Sequence, residues 1–402
     1  MTPLLRAIGF LLLILFTASC STREKPAPLV LFKFEDSYRA TETKKTNAIS
    51  FGSLKGFLIK GHAEQRTGIY PTEPFDPQKI PVLFIHGLLS EPKTWERMAF
   101  ELKKDPEISE NFQFLFYSYP SATPIVPSAA ILKNHLDRTV ATIESEFKIS
   151  MHRRLIVVGH SMGGILAKSL VSETGDRLWD TAFNSPIEEF DLSPQQKEML
   201  SLAFRYQPRP YVNSVIFLAA PQRGSHIASS FIGRIGGLLS ARPKMIEDLA
   251  EDLLTKNKER LQPTFASFVA NKVNSISTLK PDSPITTLLA DLPIDKGVTY
   301  HTIAGVPSFD YKTKEAQDKG DGVVPLWSAE LEGARCEVGL ISGHWIHNKE
   351  TTIQVVQRIL KVHGGQLTEA EIAQQIKTLK IPFARYNYNG YPLNRVTQFL
   401  SR

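Results

Sequence analysis

Cysteine is nearly absent: the 402-residue chain has two, Cys20 and Cys336. Two thiols exclude a disulfide framework and any cysteine-rich zinc site. Charge of one sign is also scarce, since 47 Lys and Arg stand against 41 Asp and Glu for a net +6. The basic residues are scattered, and the small clusters Met151-His152-Arg153-Arg154 and Lys256-Asn257-Lys258-Glu259-Arg260 read as solvated faces. Nothing resembles the basic stripe of a nucleic-acid binder, so no nucleic-acid partner is expected. No internal repeat, no long low-complexity run and no HExxH metal pattern interrupts a composition of 42% hydrophobic and 22% charged residues. That balance belongs to a globular chain long enough for one decorated domain with a large core.

The apolar run Gly9 to Phe16 is short for a membrane span and of signal-peptide length, with Arg6 before it and Thr17-Ala18-Ser19 after it. Small residues leading into Cys20 resemble the lipobox of bacterial lipoproteins, although Thr17 stands where that family usually has Leu. The resemblance implies a signal peptide over 1–19, a lipid anchor on Cys20 and a place in the bacterial cell envelope. Ser21 at the next position resembles lipoproteins sent on to the outer membrane rather than retained at the inner one. A lipidated Cys20 leaves Cys336 unpaired, as a small buried hydrophobe in an apolar-alternating stretch. Residues 20–28, with Pro26 and Pro28, read as a tether.

Leu155 to Val158 is an aliphatic run suited to a strand buried on both faces. Gly159-His160-Ser161-Met162-Gly163 follows and matches G-x-S-x-G, the strand-to-helix turn that exposes a nucleophilic serine. Ile165, Leu166, Leu170 and Val171 then continue at helical spacing. Pro81-Val82-Leu83-Phe84-Ile85 is a second buried strand, ending in His86-Gly87-Leu88. A helix is expected over 95–103, a strand over 112–119 and an amphipathic helix over 128–147. This β-α-β-α-β series builds a mostly parallel sheet whose ligands bind at the strands' carboxyl ends. Further strands are expected at Val215–Ala220, Val298–Ala304 and Cys336–Ile341, with weaker edge candidates at Leu29–Phe34 and Phe57–Ile59.

No carboxylate occurs in Pro221-Gln222-Arg223-Gly224-Ser225, so the acid partner is sought later in the chain. Asp321, in the tight Gly320-Asp321-Gly322 turn, and His344, just after the last expected strand, complete the chain order Ser, Asp, His. His344 would take the Ser161 proton and return it to the leaving group, with Asp321 holding the imidazole tautomer. Asp318 is the rival acid and His347 the rival base, the latter if the loop turns differently. His160 is read as packing under the elbow, and His86 as shaping its turn rather than acting as a base. His344-x-x-His347 lacks a third metal ligand, and no metal or organic cofactor is expected.

Two insertions, about 176–212 and 226–297, are too long for simple connections and carry helical patterns. They are read as caps or lids, with Gly236-Gly237 as a possible hinge. Asn348 to Leu360 closes the domain as a helix, and Thr368-Glu369-Ala370-Glu371 is a capping box that opens another. Domain boundaries are set at 29–362, leaving 363–402 as a C-terminal extension that either packs on the body or meets a partner.

Together these motifs resemble the α/β-hydrolase superfamily, most closely bacterial lipases and PGAP1-like esterases, over about residues 80–362. The segments that carry the resemblance are His86-Gly87-Leu88, Gly159 to Gly163, Pro221 to Ser225, Gly320 to Pro325 and Gly343-His344. It implies an oxyanion hole made by the N–H groups of Leu88 and Met162. It also implies a lipid-anchored serine hydrolase that cleaves carboxylic esters with an apolar acyl part, and so an ester or lipid-like substrate. An acyltransferase on the same triad and a non-catalytic envelope scaffold are the alternatives.

Overall fold

A computed structural model describes residues 67–226, 244–271 and 277–387. The signal peptide, Cys20, the tether, the two early strand candidates and the Gly236-Gly237 hinge lie outside the described residues. So do residues 388–402 of the C-terminal extension. Among the described residues, no helix is long and apolar enough to cross a membrane.

One eight-stranded sheet organises the chain: β1 (Gly68–Pro71), β2 (Ile80–Ile85), β3 (Phe112–Ser118), β4 (Leu155–His160), β5 (Val212–Leu218), β6 (Thr299–Val306), β7 (Cys336–Ile341) and β8 (Phe383–Tyr386). Its order is β1-β3-β2-β4-β5-β6-β7-β8. The six inner strands run parallel, and the edge strands β1 and β8 pair antiparallel with β3 and β7. Every residue of β2, β4 and β5 is buried, the polar Asn213 and Ser214 at the start of β5 included, as expected for a sheet covered on both faces.

Side chains alternate across the sheet. Leu83, Ile85, Val157, Val215 and Phe217 share one core with α3 (Ile125–Phe147) and α4 (Met162–Lys168). Val82, Phe84, Ile156, Val158 and Ile216 share the other with α1 (Glu96–Lys103), α2 (Pro106–Asn111), α12 (Glu350–His363) and α13 (Glu369–Lys377). Phe84 anchors this second core, its ring 5.1 Å from Trp95 and 5.3 Å from both Phe114 and Phe116. Truncating such a ring to Ala costs about 3–5 kcal/mol. This is the mostly parallel sheet flanked by helices that the motifs led us to expect.

The insertions are helical. The first holds α5 (Arg177–Ala182) and α6 (Pro194–Phe204); the second holds α7 (Lys244–Thr255), α8 (Pro263–Ala270) and α9 (Pro284–Asp291). Two short helices, α10 (Lys314–Lys319) and α11 (Leu326–Ala329), flank the Asp321 turn. Aromatic packing joins the two insertions: Phe183 of the first lies 5.3 Å from Phe265 of the second and 4.9 Å from Phe204. The side chain of Asn257 adds hydrogen bonds to the Asp191 backbone. Between these helices and the start of α3 lies an apolar cavity of about 110 Å³, lined by residues such as Val126, Leu200, Phe204, Leu253 and Phe265.

Two edges differ from the sequence expectation. The first described strand, Gly68–Pro71, is not among the strands expected from the sequence. At the other edge, residues 363–387, set apart as an extension, pack on the body. They supply α13, with the expected Thr368/Glu371 capping box, and then β8. Cys336–Ile341 is therefore not the last strand. β8 seats Phe383 against Gly339, where any side chain would collide with its ring.

Candidate active site

Ser161 stands between the end of β4 and the first residue of α4, with φ 54° and ψ −128°. A non-glycine residue in that region is strained by about 1–3 kcal/mol, which the surrounding packing must offset. The Ser161 N–H donates to the Leu218 carbonyl at 2.9 Å, tying the turn to β5. Gly159 is required by the close approach of α4: a Cβ there would lie 2.6 Å from the Gly163 carbonyl oxygen.

The loop after β7 carries His344 to this serine. Its Nε2 lies 2.9 Å from Ser161 Oγ and its Nδ1 lies 2.8 Å from Asp321 Oδ2. All three side chains are largely buried. The other Asp321 oxygen, Oδ1, accepts the N–H groups of Val323 at 2.8 Å and Val324 at 2.7 Å. The carboxylate is thus held from behind by the turn that contains it and presents one edge to the imidazole. Gly305 on β6 makes room for it, since a Cβ there would lie 2.6 Å from Asp321 Cβ.

The expected oxyanion loop meets the nucleophile from β2. A Cβ on Gly87 would fall 2.8 Å from Ser161 Cβ, so Leu88 follows directly on a residue in contact with the elbow. The loop is fixed on both sides. Tyr119 donates its hydroxyl to the His86 carbonyl at 2.8 Å and stacks on the His86 ring at 4.4 Å. Leu89, at φ 56°, donates its N–H to Ser121 Oγ at 3.0 Å. Met162 is the first residue of α4, where a backbone N–H has no acceptor within its own helix.

The rival residues are placed elsewhere. Asp318 is exposed on α10. His347 is fully buried; its Nε2 lies 2.7 Å from Thr94 Oγ1, and burial pushes the ring down to about 3. His86 is also fully buried and is pushed down by burial to about 4, with Nδ1 on the Gly87 carbonyl. His160 sits beneath the elbow, as expected, and burial holds it well below the usual histidine range. Three neutral imidazoles therefore surround the Ser161–His344 pair. Among the described residues, no group of three or more His, Cys, Asp or Glu side chains could hold a metal ion. Tyr119, Ser121, Thr94 and Gly305 carry no motif in the sequence, and they emerge only from contacts between distant segments.

The stretch holding the first half of this site has a family counterpart. Residues 76–185 match the PGAP1-like alpha/beta domain. That PGAP1-like segment spans β2 to β4 and contains Leu88, Ser161 and Met162, whereas Asp321 and His344 lie beyond it. No curated protein matches the chain. Among solved structures, the chain is similar to the mature lipase BlEst2 of Bacillus licheniformis, with 17% identity, 73% of this chain and 97% of that one covered, and a TM-score of 0.41. Lipase 1 of Pelosinus fermentans has 14% identity, coverage of 75% and 100%, and a TM-score of 0.41. EstA of Clostridium botulinum has 14% identity, coverage of 66% and 82%, and a TM-score of 0.37.

Proposed function

We propose that this chain is a serine hydrolase of carboxylic esters, of the esterase or lipase type. The observation that carries this reading is the continuous hydrogen-bonded line from Ser161 through His344 to Asp321, set on a strained strand-to-helix elbow. In this reading His344 Nε2 removes the hydroxyl proton as Ser161 Oγ attacks the ester carbonyl carbon. The carbonyl π electrons move onto oxygen, and the N–H groups of Leu88 and Met162 stabilise that oxyanion. Collapse expels the alcohol, which takes its proton from His344, and leaves an acyl-enzyme. Water attacks the acyl-enzyme with the same base, restoring Ser161 and releasing the acid. The apolar cap supports an apolar acyl part. We further propose that a diacylglyceryl group on Cys20, with an added acyl chain such as palmitate, anchors the domain to the bacterial envelope, at the outer membrane.

A fluorophosphonate probe tests the nucleophile. The expected result is a single adduct that mass spectrometry places on Ser161 and that Ser161→Ala abolishes. An unlabelled protein, or an adduct on another serine, would overturn the assignment. Incorporation of labelled palmitate in cells, lost in Cys20→Ser, tests the anchor; equal labelling of both forms would refute it.

A further inference from the structure

His160 is the last residue of β4 and the chain neighbour of Ser161, yet neither ring nitrogen is hydrogen-bonded to the Ser161 hydroxyl. Its side chain passes below the elbow to the loop after β7, where Nε2 lies 2.8 Å from the His344 carbonyl oxygen. A carbonyl only accepts, so Nε2 carries the proton. The ring is neutral because it is buried against the imidazoles of His344 and His347, and a neutral ring protonated at Nε2 leaves Nδ1 bare. Nδ1 is buried without a hydrogen-bond partner, and Gly87 crosses above it.

The ring is also held from behind. It lies between His344, at a centroid distance of 4.9 Å, and His347, at 4.3 Å. His347 is in turn bonded to Thr94 in the turn before α1 and lies 5.2 Å from Trp95. A line of packed rings therefore runs from the α1 side of the core to the loop that carries the base.

We infer that His160 is a positioning residue for His344: its Nε2–H, donated to the His344 carbonyl, sets the distance between base and nucleophile. This rests on the serine-hydrolase reading of the site. One rigid ring, rooted beside Ser161 in the backbone, thereby references the base to the nucleophile without a hydrogen bond to either reacting atom. Losing the donor frees the His344 backbone, and a misplacement of about 1 Å is enough to cost about 10²-fold in rate.

The test compares the parent with His160→Gln, His160→Leu and His160→Asn. Glutamine can place an amide N–H near the Nε2 position; leucine has no donor, and asparagine ends about one methylene short. On a short nitrophenyl ester, His160→Leu is expected to lose about 10²-fold in kcat with KM within about twofold of the parent. His160→Gln should recover to within about tenfold of the parent. If His160→Leu does not fold, the same ordering of Gln over Asn carries the comparison. A folded leucine or asparagine variant that matches glutamine overturns the inference. The ¹⁵N spectrum of the histidine-labelled parent decides the bond independently of activity. Protonated Nε2 and bare Nδ1 at neutral pH are expected for His160, and a proton on Nδ1 overturns it. A parent without turnover defeats the hydrolase reading and the positioning role with it, whereas an active parent with interchangeable variants defeats the positioning role alone.

Discussion

Replacing Asp321 by Asn changes one atom and reverses the proton logic of the site. Oδ1 of Asp321 faces two N–H donors, those of Val323 and Val324, at 2.8 and 2.7 Å. In Asp321→Asn the amide oxygen must keep that position, because an NH₂ there would meet two donors and forfeit two buried hydrogen bonds. Each unsatisfied group costs about 1–3 kcal/mol. The amide nitrogen is therefore turned toward His344 Nδ1, now across the 2.8 Å contact made by Oδ2. It donates, so Nδ1 must accept, and the neutral imidazole carries its proton on Nε2. That nitrogen then donates to Ser161 Oγ and cannot take its proton. Where a triad acid becomes an amide with the geometry intact, kcat falls about 10⁴-fold. That loss corresponds to about 5.4 kcal/mol of transition-state stabilisation. Steady-state hydrolysis of a nitrophenyl ester should show this loss with KM near the parent value and an unchanged melting temperature. Asp318→Asn, on the exposed rival, should stay within about twofold. A loss of less than about tenfold in Asp321→Asn, or an equal loss in Asp318→Asn, would refute the argument.

Two further outcomes follow from buried groups around the site. His86 and His347 stay neutral in the folded protein down to about 4 and about 3, whereas in the unfolded chain they take up protons below about pH 6.5. The unfolded state then binds more protons, so stability should fall as pH falls through that window, by up to about 1.4 kcal/mol per pH unit for each ring. Melting temperatures of the parent and His347→Gln between about pH 7 and about pH 4.5 check this; the variant should show the shallower fall, and parallel curves would count against it. Lys168 on α4 donates its ammonium to the carbonyls of Leu289 at 2.9 Å and Ala290 at 2.8 Å, in the last turn of α9. Lys168→Met removes both bonds and should loosen α9 by about 1–3 kcal/mol, read as faster hydrogen exchange over residues 284–291. Unchanged exchange there would show that the lysine does not tie the cap to the nucleophile helix.

The central strands were legible because a parallel sheet buried on both faces demands the unbroken apolar runs seen at 80–85, 155–158 and 215–218. The site was legible because an elbow needs glycines at fixed offsets from the serine, and because acid and base follow strand ends in chain order. The capping box at Thr368 and Glu371 was equally plain, since its two hydrogen bonds are local. The edge strands were not. Each is four residues long, one ends in Pro71, and each owes its conformation to a partner strand rather than to its own pattern. The place of His344 just after the last expected strand favoured it over His347, whereas the contact that occupies His347, with Thr94 253 residues away, is encoded by no local spacing. The same holds for Tyr119 and Ser121, whose grip on the His86–Leu89 loop joins segments more than 30 residues apart.

The central claim is that Ser161 is the nucleophile of an ester hydrolase. The most direct test is the turnover of nitrophenyl esters, from short to long acyl chains, by protein lacking residues 1–20 and by its Ser161→Ala variant. The account predicts turnover by the first that falls about 10⁶-fold in the second, with the protein still folded. Folded protein inactive on every ester, or a Ser161→Ala variant only a few-fold slower, would contradict it.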